Sequence, residues 1–179
     1  MTARRAAFLD RDGVLNERPA PGEYVTSLDE FRWIDGAADA VARLRSAGYL
    51  VLVVSNQRGV TRGLVTEDEL RRIERDIQAR LADEGASVAG FYYCPHEIDA
   101  DCDCRKPAPG LLTRAAADHT VALSSSVMIG DAESDVLAGR AAGCPTVRIG
   151  DEATRTVADL LVPDLATAAR IVSERGPTA

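Results

Sequence analysis

The sequence predicts an α/β protein: a Rossmann-like parallel sheet with helices on both faces, no large cap domain, and one small cysteine-bearing loop. Three observations carry that prediction. Short apolar runs alternate with amphipathic segments from end to end, as repeated βα units do. The strongest run, YLVLVVSN at 49–56, is apolar at consecutive positions and suits a strand covered on both faces. The chain has 179 residues, enough for one substantial core and short for two, so 1–179 is expected to form a single domain.

The elements follow in order. RAAFLD (5–10) reads as a buried strand ending in a carboxylate, and 36–47 as a helix with Asp35 as N-cap and Gly48 just past its end. After the 49–56 strand, residues 66–85 read as a helix opened by a Thr66–Glu69 capping box and closed by Gly85. VAGFYYC (88–94) reads as a strand and 110–118 as a helix. SVMIGD (126–131), 133–143 and PTVRIG (145–150) read as strand, helix and strand. A short apolar segment at 159–162 precedes a last helix at 164–174.

Composition narrows the function. A net charge of −7 without a basic tract argues against nucleic-acid binding. No apolar run approaches the roughly 20 residues a membrane helix needs. The N-terminal MTARRAAFLDRDG lacks the long apolar stretch of a secretory signal. A cytoplasmic monomer is expected. Of the 21 basic residues only Lys106 is lysine, which marks a position where a compact ammonium serves and a guanidinium does not.

In open parallel sheets, ligands bind beyond the carboxyl ends of the strands. Those ends carry Asp10 and Asp12, with Gly13 permitting a sharp turn; then Ser55 and Asn56; then Arg105 and Lys106 in a loop; then Asp131, followed by Asp135. Asp10 and Asp12 do not continue as a calcium loop, because the later acidic positions are missing. The stretch VVSNQRGVTRG, with Gly59 and Gly63, offers backbone N–H groups that could cradle a phosphate. Asp131 at a strand end suits a magnesium ligand, and Asp135 is placed both to cap the next helix and to reach Lys106.

These segments, DRDGVLN, SNQRGVTRG, CPH…CDCRKPAPG and GDAESDVLAG, in this order, resemble the haloacid dehalogenase (HAD) superfamily of aspartyl-nucleophile phosphatases, over nearly the whole chain from Leu9 to about Gly150. Together they resemble the D-glycero-D-manno-heptose 1,7-bisphosphate phosphatases, whose relatives include histidinol-phosphate phosphatases. The resemblance implies Asp10 as nucleophile and Asp12 as general acid and base. It implies Mg2+ held by Asp10, the carbonyl of Asp12, and Asp131, with Ser55 and Lys106 on the phosphoryl oxygens. Asn56, Arg58, Arg62 and Arg105 are the further substrate-binding candidates, the three arginines as a cationic cluster for a second phosphate. The chain departs from the family pattern at Arg58, where a small residue is common, and in the short interval between its cysteine pairs.

Cys94, His96, Cys102 and Cys104 form a complete Cys3His set in the loop about 94–104, with no open position, which argues a structural zinc ion rather than a catalytic one. Three local cysteines pair badly as disulfides, and Cys-x-x-Cys is absent. Because Cys104 adjoins Arg105 and Lys106, zinc is expected to hold the loop so that both face the substrate. Glu97, Asp99 and Asp101 read as a solvated loop face, and Cys144 and His119 as structural.

The activity expected from the resemblance is Mg2+-dependent removal of the C7 phosphate from a heptose 1,7-bisphosphate. Histidinol phosphate or another small sugar phosphate is the alternative substrate. A zinc-stabilised interaction module is the non-enzymatic reading, which retention of Asp10, Asp12, Lys106 and Asp131 together argues against.

Overall fold

The computed structural model describes residues 3–175; residues 1, 2 and 176–179, which belong to the stretch read above as one domain, lie outside it. Six strands form one parallel sheet: β1 (Ala6–Leu9), β2 (Leu50–Asn56), β3 (Gly90–Cys94), β4 (Val127–Gly130), β5 (Thr146–Ile149) and β6 (Leu160–Val162). Five helices connect and follow them: α1 (Ala37–Ser46), α2 (Glu67–Asp83), α3 (Gly110–His119), α4 (Glu133–Ala142) and α5 (Leu165–Arg175). The apolar segment at 159–162 thus becomes the edge strand β6.

Strand alternation sorts the side chains onto two faces. Ala7, Leu9, Val51, Val53, Val127 and Ile129 pack with α1, α2 and α5 on one side. Ala6, Phe8, Leu50, Leu52, Val54 and Met128 pack with α3 and α4 on the other. Both faces are therefore apolar, as the unbroken run at 49–56 requires.

Two predicted helix starts differ in detail. Gly36, not Asp35, is the N-cap of α1, because the chain enters the helix through a left-handed residue (φ 76°) that places Asp35 one position too early. Thr66 does cap α2 by accepting from the Glu69 N–H, but the Glu69 carboxylate reaches across to the Leu28 N–H at 2.8 Å instead of closing the box.

The strand order is β3-β2-β1-β4-β5-β6. The chain builds outward from β1 through β2 to β3, then returns to the other side of β1 with β4. The connections leaving β1 and β4 diverge at that reversal and open a crevice between neighbouring strands. Leu9 pairs with Ile129, and the Asp10 N–H donates to the Ile129 carbonyl at 3.1 Å, so Asp10 and Asp131 emerge side by side. Among the described residues no helix is long and apolar enough to cross a membrane.

Candidate active site and metal centres

The end of β1 places Asp10 almost fully buried at the base of a cavity of about 350 Å3. Its Oδ1 accepts the Arg11 N–H at 2.8 Å and pairs with Lys106 Nζ at 3.0 Å, which leaves Oδ2 without a hydrogen-bond donor among the described residues. Burial, reinforced by the charges of Asp135 and Asp12 against the pull of Lys106, raises the Asp10 carboxyl to about 6. A carboxylate in this position needs cations beside it before it can meet a phosphate.

Lys106 supplies one of them. Its ammonium donates to the Val54 carbonyl at 2.8 Å and stands in ion-pair contact with Asp10 Oδ1 at 3.0 Å and Asp135 Oδ1 at 2.6 Å. Only 3% of the residue is exposed. Burial alone would discharge the amine, yet the two carboxylates overcome it and raise its pKa. A planar guanidinium cannot concentrate its charge on one nitrogen set among two carboxylates and a carbonyl, which accounts for the lone lysine.

Asp135 performs both tasks expected of it, since its second oxygen accepts the Ala132 N–H at 2.9 Å at the start of α4. A Cβ at Gly130 would collide with the Asp135 carboxylate, and one at Gly13 (φ 84°) would collide with that of Asp131. Both glycines are what let these acids approach the strand ends.

Asp12 lines the same cavity, held by four donors. Arg11, wholly buried, reaches it with Nε and Nη2 at 3.0 and 3.1 Å; Asn16 Nδ2 and Gln57 Nε2 add bonds of 2.9 and 3.0 Å. Gln57 also donates to Ser55 Oγ at 3.1 Å, tying the hydroxyl after β2 to the acid after β1. Arg11, Asn16 and Gln57 were not among the predicted site residues. Their neighbours in DRDG and SNQ were, but nothing in a linear string says that an arginine between two aspartates turns inward.

Ser55 and Asn56 line the cavity, but the loop after them does not cradle it. Residues 57–65 fold back on themselves, with the Gly59 carbonyl accepting both Leu64 N–H and Val65 N–H at 2.9 and 3.1 Å. The predicted arginine cluster is also dispersed. Arg62 makes a two-point pair with Glu97 at 2.7 and 3.2 Å, and Arg58 donates to Tyr24 Oη at 2.8 Å and lies 3.5 Å from Glu97. Arg105 donates to the His96 carbonyl at 3.1 Å. None of the three lines the cavity. Glu97 is accordingly an anchor for two arginines rather than a solvated residue of the loop. The arginine that does stand on the cavity wall is Arg18, whose Nη2 lies 2.5 Å from Asp131 Oδ1. Asp131 is raised by burial against the opposing pull of Arg18.

Among the described residues, two side-chain groups have the makeup of metal centres. Asp10, Asp131 and Asp135 bring carboxylate oxygens within 4.8 Å of one another. Such a set suits Mg2+, which takes one or two carboxylates and fills its remaining positions with substrate oxygens and water.

Cys94, His96, Cys102 and Cys104 form the second group, between the end of β3 and Lys106. A tetrahedral zinc ion implies edges of about 3.8 Å between sulfurs and about 3.6 Å between sulfur and nitrogen. The observed separations are 3.9 Å for Cys94–Cys102, 3.4 Å for Cys94–His96 Nδ1 and 3.2 Å for Cys104–His96 Nδ1. The sulfurs are far from the roughly 2.05 Å of a disulfide. Burial and the neighbouring thiols push Cys104 up to about 12, whereas Cys102, despite burial, is lowered by backbone N–H groups of Arg105 and Cys104. The thiols cannot ionise together without a cation among them, and the donor set fits one.

Comparison with known proteins places these observations in context. A family model described as HAD-hydrolase-like matches residues 103–171. A D-glycero-beta-D-manno-heptose-1,7-bisphosphate 7-phosphatase of Pasteurella multocida is 41% identical over 145 residues, covering 78% of this chain and 77% of that protein. A D-glycero-alpha-D-manno-heptose-1,7-bisphosphate 7-phosphatase of Mycobacterium tuberculosis is 39% identical over 170 residues and 89% of each chain. The structure superposes on the D,D-heptose 1,7-bisphosphate phosphatase of B. bronchiseptica complexed with magnesium and phosphate, with a TM-score of 0.84, 32% identity, and coverage of 96% of this chain and 99% of that one.

Proposed function

The chain belongs to the family of HAD-like D-glycero-D-manno-heptose-1,7-bisphosphate 7-phosphatases, and on that premise we propose that it hydrolyses the C7 phosphate of a heptose 1,7-bisphosphate, leaving heptose 1-phosphate. One relationship carries this conclusion: a buried carboxylate, Asp10, sits under a cavity with one oxygen fixed by Lys106 and Arg11 and the other unengaged.

In the mechanism we propose, Asp10 Oδ2 attacks phosphorus in line with the leaving O7. The P–O7 bond breaks, Asp12, protonated once one of its four donors lets go, gives that proton to the departing alkoxide, and an aspartyl-phosphate remains on Asp10. Asp12, now a carboxylate, takes a proton from a water that attacks the same phosphorus, and the bond to Asp10 breaks to release inorganic phosphate. Ser55 Oγ and Lys106 bind the phosphoryl oxygens through both steps. Asp10, Asp131 and the backbone carbonyl of Asp12 would hold a magnesium ion, which supplies charge neutralisation at those oxygens when bound. Gln57, bonded to both Asp12 and Ser55, orients the acid relative to the phosphoryl site.

Cys94, His96, Cys102 and Cys104 would hold a structural zinc ion whose role is mechanical. The loop from 94 to 106 contains no helix or strand beyond Cys94, so its shape rests on this cluster and on side-chain contacts from Asn56, Thr61 and Arg62. A displaced Lys106 would leave Asp10 without its fixed cation.

Phosphate release with Mg2+ from both anomers of heptose 1,7-bisphosphate and from histidinol phosphate, beside an Asp10→Asn control, tests this function. Preference for a bisphosphate anomer that vanishes in the control is the expected result. Equal or better turnover of histidinol phosphate would overturn the substrate assignment and keep the chemistry.

A further inference from the structure

Resting on that reading of the substrate, we infer that Arg18 binds the phosphate that is not cleaved, and that it is shared between this phosphate and Asp131. A sugar bisphosphate brings a second dianion to a cavity whose floor is acidic, in a protein of net charge −7. It needs a cation with free donors. Among the described residues, Lys106 and Arg18 are the cations that line the cavity. Lys106 is buried beside Asp10 and Asp135 and is assigned to the phosphoryl group that is cleaved. Arg58 and Arg62 are drawn to Glu97, and Arg105, bonded to the His96 carbonyl, does not line the cavity.

Arg18 differs from all of these. Its side chain is 52% exposed, and one terminal nitrogen meets Asp131 Oδ1. A guanidinium has five N–H donors, so a single carboxylate oxygen leaves most of them available to an anion in the cavity. Its position is built by the backbone on either side. The Glu17 N–H donates to the Arg32 carbonyl at 2.7 Å, and Asn16 Nδ2 donates to the Glu17 carbonyl at 2.8 Å. Pro19 restricts Arg18 to extended conformations. Beyond it the Glu23 N–H closes a turn onto the Ala20 carbonyl at 2.9 Å. The resulting strap stands between the nucleophile's cavity and a second one of about 560 Å3, and Arg18 lines both.

The partner of Arg18 makes this site conditional. Asp131 belongs to the acidic trio with Asp10 and Asp135. A divalent cation bound there competes with Arg18 for Asp131 and repels it, which turns the guanidinium toward the cavity. Coupling of this kind is reciprocal: removing Arg18 should tighten the cation, and the cation should free Arg18 for the phosphate.

Two measurements test this on the full chain. Steady-state kinetics compare heptose 1,7-bisphosphate with heptose 7-phosphate for the wild type, Arg18→Ala and Arg18→Lys. Arg18→Ala should raise KM for the bisphosphate roughly 10- to 100-fold, as loss of charge-assisted hydrogen bonds does, with kcat and the monophosphate KM little changed and partial rescue by lysine. Calorimetric titration of MgCl2 into substrate-free protein should show tighter binding in Arg18→Ala than in wild type. A preference for the bisphosphate that survives Arg18→Ala, or an equal loss on both sugars, would overturn the inference alone. Unchanged or weaker Mg2+ binding would overturn the sharing with Asp131. A wild type that turns over neither sugar would overturn the proposed function together with the inference.

Discussion

Asn56 grips Lys106 by its main chain from both sides: its Nδ2 donates to the Lys106 carbonyl at 3.0 Å, and its Oδ1 accepts the Lys106 N–H at 3.1 Å. The strand carrying Ser55 thereby fixes the loop that carries the ammonium.

Replacing Asn56 with Ala removes both bonds and strands two backbone groups. Equilibrium urea unfolding should show a loss of about 1–3 kcal/mol, the cost of part-buried polar groups left unpaired. kcat should fall more than KM rises, because Lys106 is held and not replaced. Unchanged kcat would show that the loop is held without Asn56.

Removing zinc should loosen the same loop from its other end. Chelation, or Cys104→Ser, is expected to lower kcat/KM about 100-fold, the size of effect that a misplaced charge of about 1 Å produces. Hydrogen exchange should rise across residues 94–106 and stay low in β1, β2 and β4. Full activity in the zinc-free protein would refute the mechanical role.

Mg2+ affinity should climb with pH. Metal-free Asp10 keeps its proton up to about 6, so below that value the ion must displace the proton, and affinity should fall as the pH is lowered. The sign for stability is opposite to that of a carboxylate whose pKa is lowered on folding. Because the folded chain binds this proton more tightly than the unfolded chain, the contribution is present at low pH and is lost as pH rises from about 4 to about 6. Calorimetry with MgCl2 at pH 5 and 7, beside thermal melts of the metal-free protein, checks both halves. Asp10→Asn should flatten the melts over that interval.

Arg62→Ala should scarcely affect catalysis. Arg62 spends its guanidinium on Glu97 away from the cavity, and exposed pairs contribute at most about 1 kcal/mol, so kcat/KM should change less than about fivefold. A change comparable to that expected for Arg18→Ala would return Arg62 to the substrate.

Sheet and site were legible in the sequence to different depths. The strands could be read because a parallel sheet covered on both faces demands consecutive apolar residues, and 49–56 supplies them. Asp10, Ser55 and Asp131 could be read because strand ends are where such a sheet keeps its polar groups, and Lys106 because it is the only lysine. The arginines could not. A long cation takes the carboxylate that the fold brings near it, and the closeness of Glu97 to Arg58 and Arg62 depends on how two separate loops are laid together. Arg11 was hidden for a similar reason: its burial is decided by Asp12 turning back toward it. Asp35 was displaced as a cap by Gly36, whose left-handed conformation no composition rule anticipates.

The solitary lysine has a spectroscopic consequence. Lys106 is the sole lysine in 179 residues, and its ammonium touches Asp10 and Asp135. Protein grown on isotopically labelled lysine would therefore give one side-chain resonance, already assigned, from the centre of the cavity. That signal would follow proton, metal and phosphate as each arrives, without a substitution or an attached probe.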